Sequence, residues 1–158
     1  MYQKVKREKK NLSKDINRIL IADDSEMNRA ILREVLGEEF AVLEAANGEE
    51  GLEYLEEHEE DISLVLLDII MPVMDGFEVL RVMSEKNFLD NIPVIMISSE
   101  ESETYVKKAY EMGAMDYINR PFDAQVVYRR VFNTIKLYAK QRRLIALVTD
   151  QIKSELKK

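Results

Sequence analysis

The sequence predicts an α/β fold: five parallel strands in one doubly wound sheet, followed by a long C-terminal helix. Short apolar runs alternate five times with stretches that carry apolar residues at helical spacing, and the connections between them are short. Four of these runs end on, or lead into, a carboxylate, a hydroxyl or a cationic side chain. Neither proline nor glycine occurs after Pro121, so no local signal ends the last helix.

The first strand and the first helix are predicted before Gly37, which is expected to end the helix. Residues 17–22 form a short apolar run that is followed by Asp23 and Asp24. Ser25 is a favourable N-cap residue, because its side-chain oxygen can accept a hydrogen bond from a free amide of the first turn. The apolar residues of this helix recur at helical spacing: Met27, Ala30, Ile31, Leu32, Val35 and Leu36.

The second strand and the second helix are predicted over residues 40–45 and 49–60. The pair Asn47–Gly48 between them is typical of a turn. In the helix, Leu52 and Leu55 should face the core, while a row of glutamates faces solvent.

Residues 62–67 are predicted to be the central strand, buried on both faces of the sheet. Five of the six residues are apolar, and the run is far too short to span a membrane. Asp68 follows, and a turn-rich segment with Pro72 and the pair Asp75–Gly76 comes next. A carboxylate at the end of a buried strand loses its charge unless a partner such as a cation stabilises it. We therefore expect a partner for Asp68.

Two further helices and two further strands are predicted in the second half of the chain. The helices are expected over residues 77–86 and 102–112, and the strands over residues 92–97 and 117–118. Gly113 is expected to end the second of these helices.

The last helix is predicted to begin near Phe122 and to contain about 35 residues, or about 50 Å. A helix of this length outgrows a small domain, so the part beyond about Tyr138 should leave the core. Gln141, Arg142 and Gln151 interrupt its apolar stripe, and a frayed tail or a linker to an output domain is an alternative to pairing. Several apolar residues lie seven apart, as in a coiled coil with a second copy: Leu137 and Leu144, then Tyr138, Ile145 and Ile152.

Charge divides the chain into three segments. We expect a basic leader at residues 1–15, a folded body at 16–138 and a helical extension at 139–158. The body carries 11 Lys and Arg against 26 Asp and Glu, a net charge of −15, so direct nucleic-acid binding is not expected. The sequence shows neither a membrane-spanning apolar run nor a secretory signal, which favours a cytoplasmic protein.

The residue inventory excludes several kinds of site. The chain has no cysteine, which excludes disulfides, thiol catalysis and zinc–thiolate sites. His58 is the single histidine, so a histidine-rich metal centre is also excluded.

The polar residues that follow the strands are expected to meet, because parallel strands end at the same edge of a sheet. Three neighbouring carboxylates need a counter-ion, and a site with oxygen ligands favours Mg²⁺. A carboxylate can also act as a nucleophile and form an acyl phosphate, whose oxygens a hydroxyl and a guanidinium can bind. The residues concerned are Asp23, Asp24, Asp68, Ser98 and Arg120.

Four short segments carry a family resemblance: ILIADD (19–24), LDIIMPVMDG (67–76), PVIMISS (93–99) and GAMDYINRPF (113–122). They are spread over roughly residues 18–136, nearly the whole body. Together they resemble the receiver domain of two-component response regulators, in particular the chemotaxis-regulator-like ones. The resemblance implies a flavodoxin-like fold and a phosphoacceptor with self-catalysed phosphotransfer and dephosphorylation, rather than an enzyme.

The resemblance implies roles for the acidic residues. Asp68 would accept a phosphoryl group from a sensor histidine kinase, a phosphotransfer protein or a small acyl phosphate. Asp24 and Asp68 would bind Mg²⁺ through their side chains and Asp23 through water. The backbone carbonyl of Ile70 would be the third protein ligand.

The resemblance also implies how a signal leaves the site. Ser98 and Arg120 would contact the phosphoryl oxygens. Tyr117 would be the switch aromatic, which turns from exposed to buried as the Ser98 hydroxyl moves inward. The face made by the fourth helix, the fifth strand and the fifth helix would carry the output, often through a homodimer.

Arg120 departs from the family, which has Lys before the proline. Arginine is planar and bulkier than lysine, so phosphorylation is expected to persist with altered rates. The Arg120–Pro121 peptide bond is expected to be cis, as the resemblance implies. Ser98 replaces the commoner Thr, which is a mild change. Ile70 and Glu100 occupy positions that tune dephosphorylation, and the bulky Ile70 predicts a long-lived phosphoryl group.

Two alternatives remain open at this point. A phosphatase with an aspartyl nucleophile needs a second Asp two residues later as general acid, and this sequence has Ile70 there. A receiver-like interaction module that is never phosphorylated would keep the fold, with Arg120 as the sign of decay. Mg²⁺-dependent phosphorylation of Asp68 discriminates between these functions. The cognate kinase, the pathway and the output are not encoded in any motif of this chain.

Overall fold

The computed structural model describes residues 17–100 and 102–157. The predicted basic leader, residues 1–15, lies outside the described residues. The described part contains five strands: β1 (Arg18–Ala22), β2 (Ala41–Ala45), β3 (Ile62–Leu67), β4 (Val94–Ser98) and β5 (Asp116–Asn119). All neighbouring pairs are parallel, and the order across the sheet is β2-β1-β3-β4-β5, which confirms the predicted fold class.

Helices cover both faces of the sheet: α1 (Glu26–Leu36), α2 (Gly48–His58), α3 (Gly76–Glu85), α4 (Glu103–Glu111) and α5 (Ala124–Leu156). One apolar core lies under α2, α3 and α4, and a second lies under α1 and the first half of α5. All six residues of β3 are buried, because alternate side chains enter the two cores. Val65 and Leu67 belong to the first core, and Leu64 and Leu66 belong to the second.

Side chains cap the first two helices where the backbone amides of the first turn lack partners. Ser25 Oγ accepts a hydrogen bond from the Asn28 amide at 3.2 Å, which confirms the predicted cap. Asn47 Oδ1 accepts from the Glu50 amide at 2.8 Å, and α2 begins at Gly48. The predicted Asn47–Gly48 turn is therefore the start of a helix, because the asparagine amide acts as its cap.

Two apolar residues of the α1 pattern are exposed. Leu32 and Leu36 are buried, whereas Met27 is 73% exposed and Ile31 is 46% exposed. Ile31 lies about 100° around the helix from Leu32. The helical spacing therefore predicted the helix correctly but overestimated the width of its buried face.

The two strands of the second half start and end differently from the prediction. β4 begins at Val94, two residues later than expected, because Pro93 has no amide hydrogen to donate to a neighbouring strand. The Pro93 carbonyl still accepts the Val65 amide at 3.0 Å. β5 extends over Asp116–Asn119 and pairs with β4 along its whole length.

The long C-terminal helix is confirmed, since α5 contains 33 residues. Val127, Val131 and Ile135 are buried against the sheet, and from Lys140 to Lys157 every side chain is exposed. Within the described ranges, no helix is both long enough and apolar enough to cross a membrane. The exposed apolar side chains of the extension are Leu144, Ile145, Leu147, Val148, Ile152 and Leu156.

Candidate functional site

The carboxyl ends of β1, β3, β4 and β5 lie at one edge of the sheet, and the backbone fixes the residues that follow them. The Asp68 amide donates to the Ala22 carbonyl at 2.9 Å, and the Arg120 amide donates to the Ser98 carbonyl at 3.0 Å. The Asp23 amide is bonded in the same way to the last residue of β2. Backbone hydrogen bonds that continue the pairing of the parallel strands therefore bring the predicted site residues together.

Three carboxylates form an acidic cluster at this edge. One oxygen atom from each of Asp23, Asp24 and Asp68 lies within 4.8 Å of the other two. Asp23 is buried, Asp24 is exposed, and the Asp68 side chain is 11% exposed. In the part of the chain that the structure describes, no other group of three such ligands meets as closely. Oxygen ligands of this kind are those that Mg²⁺ and Ca²⁺ prefer, so the cluster fits a hard divalent cation.

The turn after β3 holds the Asp68 carboxylate in place. Its Oδ1 accepts the Ile69 amide at 2.8 Å, and the Gly76 amide donates to the Ile69 carbonyl at 2.7 Å. A side chain at Gly76 would collide with the Asp68 carbonyl, so glycine lets this loop close against the site. Burial, reinforced by the neighbouring Asp23 carboxylate, raises the pKa of Asp68 to about 6, although the Arg120 guanidinium acts in the opposite direction.

Arg120 contacts two members of the acidic cluster. Its Nη2 donates to Oδ2 of Asp23, and its Nη1 lies 3.6 Å from Oδ2 of Asp68. The side chain is only 15% exposed, and its Nε is buried without a hydrogen-bond partner among the described residues. The peptide bond between Arg120 and Pro121 is cis, which confirms that prediction.

Ser98 is the last residue of β4 and Tyr117 lies in β5, the two strands that follow β3 on that side of the sheet. Ser98 is buried, and its Oγ accepts the Glu100 amide at 3.3 Å. Tyr117 is 7% exposed, and its hydroxyl donates to the Glu100 carbonyl at 2.5 Å. Burial raises the pKa of Tyr117 above its ordinary value. The residue predicted to be the switch aromatic thus occupies a buried position, tied to the loop after β4.

Apolar side chains border the acidic cluster. Ile70, two residues after Asp68, is 58% exposed, and Val73 in the same loop is also exposed. The φ angle of Val73 is +70°, a conformation that β-branched residues rarely adopt. The loop therefore presents an apolar surface next to the carboxylates.

The family model of the response regulator receiver domain matches residues 19–132. The chain belongs to this family. The match to the receiver domain begins in β1 and ends in α5, so it includes all the residues of the acidic cluster together with Ser98, Tyr117 and Arg120.

Curated relatives of this receiver domain include both short and long proteins. It is 43% identical over 105 residues to the chemotaxis protein CheY of Halobacterium salinarum, which covers 66% of this chain and 84% of that protein. It is 36% identical over 121 residues to the response regulator RR06 of Streptococcus pneumoniae, but spans only 54% of that protein. The receiver domain thus corresponds to most of the chemotaxis protein and to about half of the longer response regulator.

Solved structures show the same fold. The receiver domain aligns with the CheX-CheY-BeF3-Mg²⁺ complex from Borrelia burgdorferi with a TM-score of 0.68 and 36% identity, covering 74% of this chain and 87% of that one. It also aligns with a two-component response regulator that has a GGDEF domain, with a TM-score of 0.74 and 28% identity. That alignment covers 81% of this chain and 52% of the larger one.

Sequence analysis missed one cation of the receiver site, Arg29. Its Nη1 donates to the Asp23 carbonyl at 2.6 Å, and its Nε donates to Glu44 Oε1 at 3.3 Å. An arginine one turn after the Ser25 cap is a signal that could have pointed to the backbone of Asp23. Its pairing with Glu44 depends on the position of β2 at the edge of the sheet, which local spacing does not reveal.

Proposed function

We propose that this receiver domain accepts a phosphoryl group on Asp68 in a two-component signalling system. The observation that carries the proposal is the position of the Asp68 carboxylate at the end of the central strand, within 4.8 Å of two other carboxylates. Ser98 and Arg120 supply a hydroxyl and a guanidinium on the same edge of the sheet. Because the pKa of Asp68 is about 6, this carboxyl is ionised in most molecules at neutral pH, and the ionised form is the nucleophile.

The donor would be a phosphohistidine of a sensor histidine kinase or of a phosphotransfer protein. An oxygen of Asp68 forms a bond to phosphorus, and the phosphorus–nitrogen bond breaks. The histidine leaves with the electron pair of that bond and takes up a proton. The product on this chain is an acyl phosphate, so the chain is a phosphoacceptor rather than an enzyme with a separate substrate. Since such donors are cytoplasmic, the proposal implies a cytoplasmic location.

The acidic cluster would hold Mg²⁺ through Asp24 and Asp68, with Asp23 acting through water and the Ile70 backbone carbonyl as a further ligand. When bound, the ion supplies positive charge that offsets the carboxylates and the incoming phosphoryl oxygens. The donor set of three neighbouring carboxylates supports this choice. The similar CheY structure from Borrelia burgdorferi is a complex with BeF3 and Mg²⁺.

Residues of the chain would bind the phosphoryl group and pass on its presence. Ser98 and Arg120 donate hydrogen bonds to the phosphoryl oxygens. Tyr117 stabilises one position of the loop after β4 through its hydrogen bond to the Glu100 carbonyl. The output surface is then the face formed by α4, β5 and the first half of α5, because Tyr117 and this loop border it.

The phosphoryl group on Asp68 would be long-lived. Ile70 is an apolar side chain two residues from Asp68, and it offers no hydrogen bond to orient an attacking water. Glu100 is engaged through its backbone by Tyr117 and Ser98. We therefore expect slow loss of the phosphoryl group once the donor is removed.

Intact mass spectrometry tests the phosphoacceptor function. The full chain is incubated with Mg²⁺ and a small acyl phosphate, in parallel with the variants Asp68→Asn and Asp90→Asn. Asp90→Asn is the control, because Asp90 is exposed and does not belong to the acidic cluster. One added phosphoryl group is expected on the wild type and on Asp90→Asn, and none on Asp68→Asn or without Mg²⁺. An unmodified wild type would implicate Arg120, and an unmodified Arg120→Lys as well would refute the proposal.

The contact between Arg120 and the acidic cluster favours one alternative function. A guanidinium that already pairs with Asp23 and Asp68 is compatible with an interaction module that is never phosphorylated. The same mass measurement separates the two functions. A phosphatase with an aspartyl nucleophile is the weaker alternative, because Ile70 has no proton to donate.

The extension would carry a second interaction, pairing with another copy of the chain. Its apolar side chains are exposed along the helix, from Leu144 to Leu156. A linker to a further domain remains the alternative use of the helix, and the related response regulator with a GGDEF domain is an example of such an architecture.

The body has a net charge of −15, so it would not bind nucleic acid directly.

A further inference from the structure

Arg120 uses both of its terminal nitrogens on the acidic cluster. Nη2 donates to Asp23 Oδ2, and Nη1 lies 3.6 Å from Asp68 Oδ2. The Asp23 and Asp68 side chains are 2% and 11% exposed, so water screens these charges only weakly. The guanidinium is therefore a counter-ion that the chain itself supplies to two of the three carboxylates.

The shape of arginine makes this bridge possible. A guanidinium presents its two terminal nitrogens as a rigid planar fork, whereas lysine presents one compact ammonium group. The Lys that the family has before the proline offers one nitrogen to the cluster, whereas Arg120 meets Asp23 and Asp68 with a separate nitrogen each. The replacement by Arg120 thus changes what the acidic cluster contacts when no metal is bound.

Asp23 is the carboxylate for which two cations would compete. Its Oδ1 accepts the Ser25 amide at 2.8 Å, and its Oδ2 is taken by Arg120. Both oxygens therefore already have partners, although Asp23 is also one of the three carboxylates of the cluster. Cations that share one buried carboxylate repel each other, so Arg120 at Oδ2 opposes the approach of a metal ion to Asp23 or to a water bound there.

We propose that Arg120 is a cation lock: it stabilises the metal-free state by bridging Asp23 and Asp68, and it lowers the affinity of the site for Mg²⁺. The inference rests on the proposed function, because it takes the acidic cluster to be a Mg²⁺ site. The buried Nε of Arg120 lacks an acceptor among the described residues, which costs free energy in the locked state. After withdrawal from Asp23, the guanidinium can turn to the phosphoryl oxygens on Asp68, which offer new acceptors.

Isothermal titration calorimetry of the full chain with magnesium chloride, without a phosphodonor, tests the lock. Arg120→Lys is expected to bind Mg²⁺ roughly tenfold more tightly than the wild type, which is about the worth of one charge-assisted hydrogen bond. Arg120→Gln, which removes the charge, should shift the affinity in the same direction. Arg81→Lys is the matched control with wild-type affinity, because Arg81 pairs with Glu85 on the exposed side of α3.

Thermal unfolding is a second readout that does not depend on the heat of binding. Without metal, Arg120→Gln should unfold at a lower temperature than the wild type, because two largely buried carboxylates lose their counter-ion. Saturating Mg²⁺ should then raise the unfolding temperature of this variant more than that of the wild type.

The outcomes separate the lock from the function on which it rests. Equal Mg²⁺ affinity of the wild type and both Arg120 variants, or weaker binding by the variants, would overturn the lock and leave the phosphoacceptor proposal in place. An absence of Mg²⁺ binding by the wild type and both variants would overturn the Mg²⁺ site itself, and the lock with it.

Discussion

Among single residues, Asp68 has the ionisation that the fold perturbs most clearly. Its pKa in the folded chain is about 6, above the ordinary value of 3.8, because the carboxyl is buried next to Asp23. Below about pH 4 the carboxyl is protonated in both the folded and the unfolded chain. Between about pH 4 and pH 6 the folded chain holds the proton that the unfolded chain releases. Stability associated with Asp68 is therefore greatest at low pH and is lost as pH rises through 6.

The loss of stability with rising pH leads to a prediction for Asp68→Asn in metal-free buffer. At pH 7.5 the variant should be more stable than the wild type by about 1–2 kcal/mol, because it no longer places a negative charge at this position. Near pH 4 the two proteins should differ little. Urea unfolding at both pH values measures the difference, with Asp90→Asn as the exposed control. A wild type that is the more stable of the pair at pH 7.5 would contradict the prediction.

At the scale of secondary structure elements, two helical glycines differ in the space that surrounds them. A Cβ at Gly76, the first residue of α3, would collide with the backbone of Asp68 and Ile69. A Cβ at Gly51, inside α2, would lie 3.6 Å from Ala22 Cβ and 3.8 Å from Ala45 Cβ, which is ordinary contact.

Alanine substitutions at these glycines should therefore have opposite effects. Gly76→Ala is expected to reduce the free energy of unfolding by at least about 2 kcal/mol, because backbone must move to accommodate the methyl group. Gly51→Ala is expected to raise it by about 0.5–1 kcal/mol, because alanine restricts the unfolded chain and favours helix. Chemical denaturation of both variants tests the pair. A Gly76→Ala protein as stable as the wild type would show that the loop after β3 is not as tightly closed.

The two halves of α5 should respond differently to the same substitution. Val131 is completely buried against the sheet, whereas Val148 is 57% exposed on the extension. Val131→Ala is expected to cost about 2 kcal/mol, mainly through lost burial and an unfilled cavity. Val148→Ala should change the stability of the monomer by less than about 0.5 kcal/mol. Unfolding experiments at low protein concentration distinguish the two, and equal losses would mean that the extension packs as part of the body.

The whole molecule is electrically divided, with a body of net charge −15 and an extension, residues 139–158, with six basic and two acidic residues. If two extensions pair side by side, like charges repel and salt should strengthen the dimer. We predict that dimerisation increases between about 20 mM and about 300 mM salt, and that Ile145→Glu prevents it. Analytical ultracentrifugation at both salt concentrations measures this. A dimer that salt weakens would indicate instead that the basic extension of one copy binds the acidic body of another.

Much of the fold and of the site could be predicted from sequence, because helices and strands follow from local residue patterns and the site follows from the order of parallel strands. The meeting of Asp23, Asp68, Ser98 and Arg120 follows from the position of each residue at the end of a parallel strand. The contact between Arg120 and Asp23 could not be predicted, because it depends on the conformation of a long side chain. The exposure of Met27 was missed because helical spacing gives the apolar side of a helix but not the width of its contact.

Because α5 is one continuous helix, its exposed half moves together with the half that is packed on the sheet. The helix begins four residues after Arg120 and is fixed to the sheet as far as Ile135. The 21 residues from there to Leu156 project about 30 Å. A tilt of about 10° in the fixed half would swing the tip by about 5 Å, without any change inside the helix itself. An adjustment too small to disturb the body could thus be amplified into a displacement that a neighbouring molecule can sense.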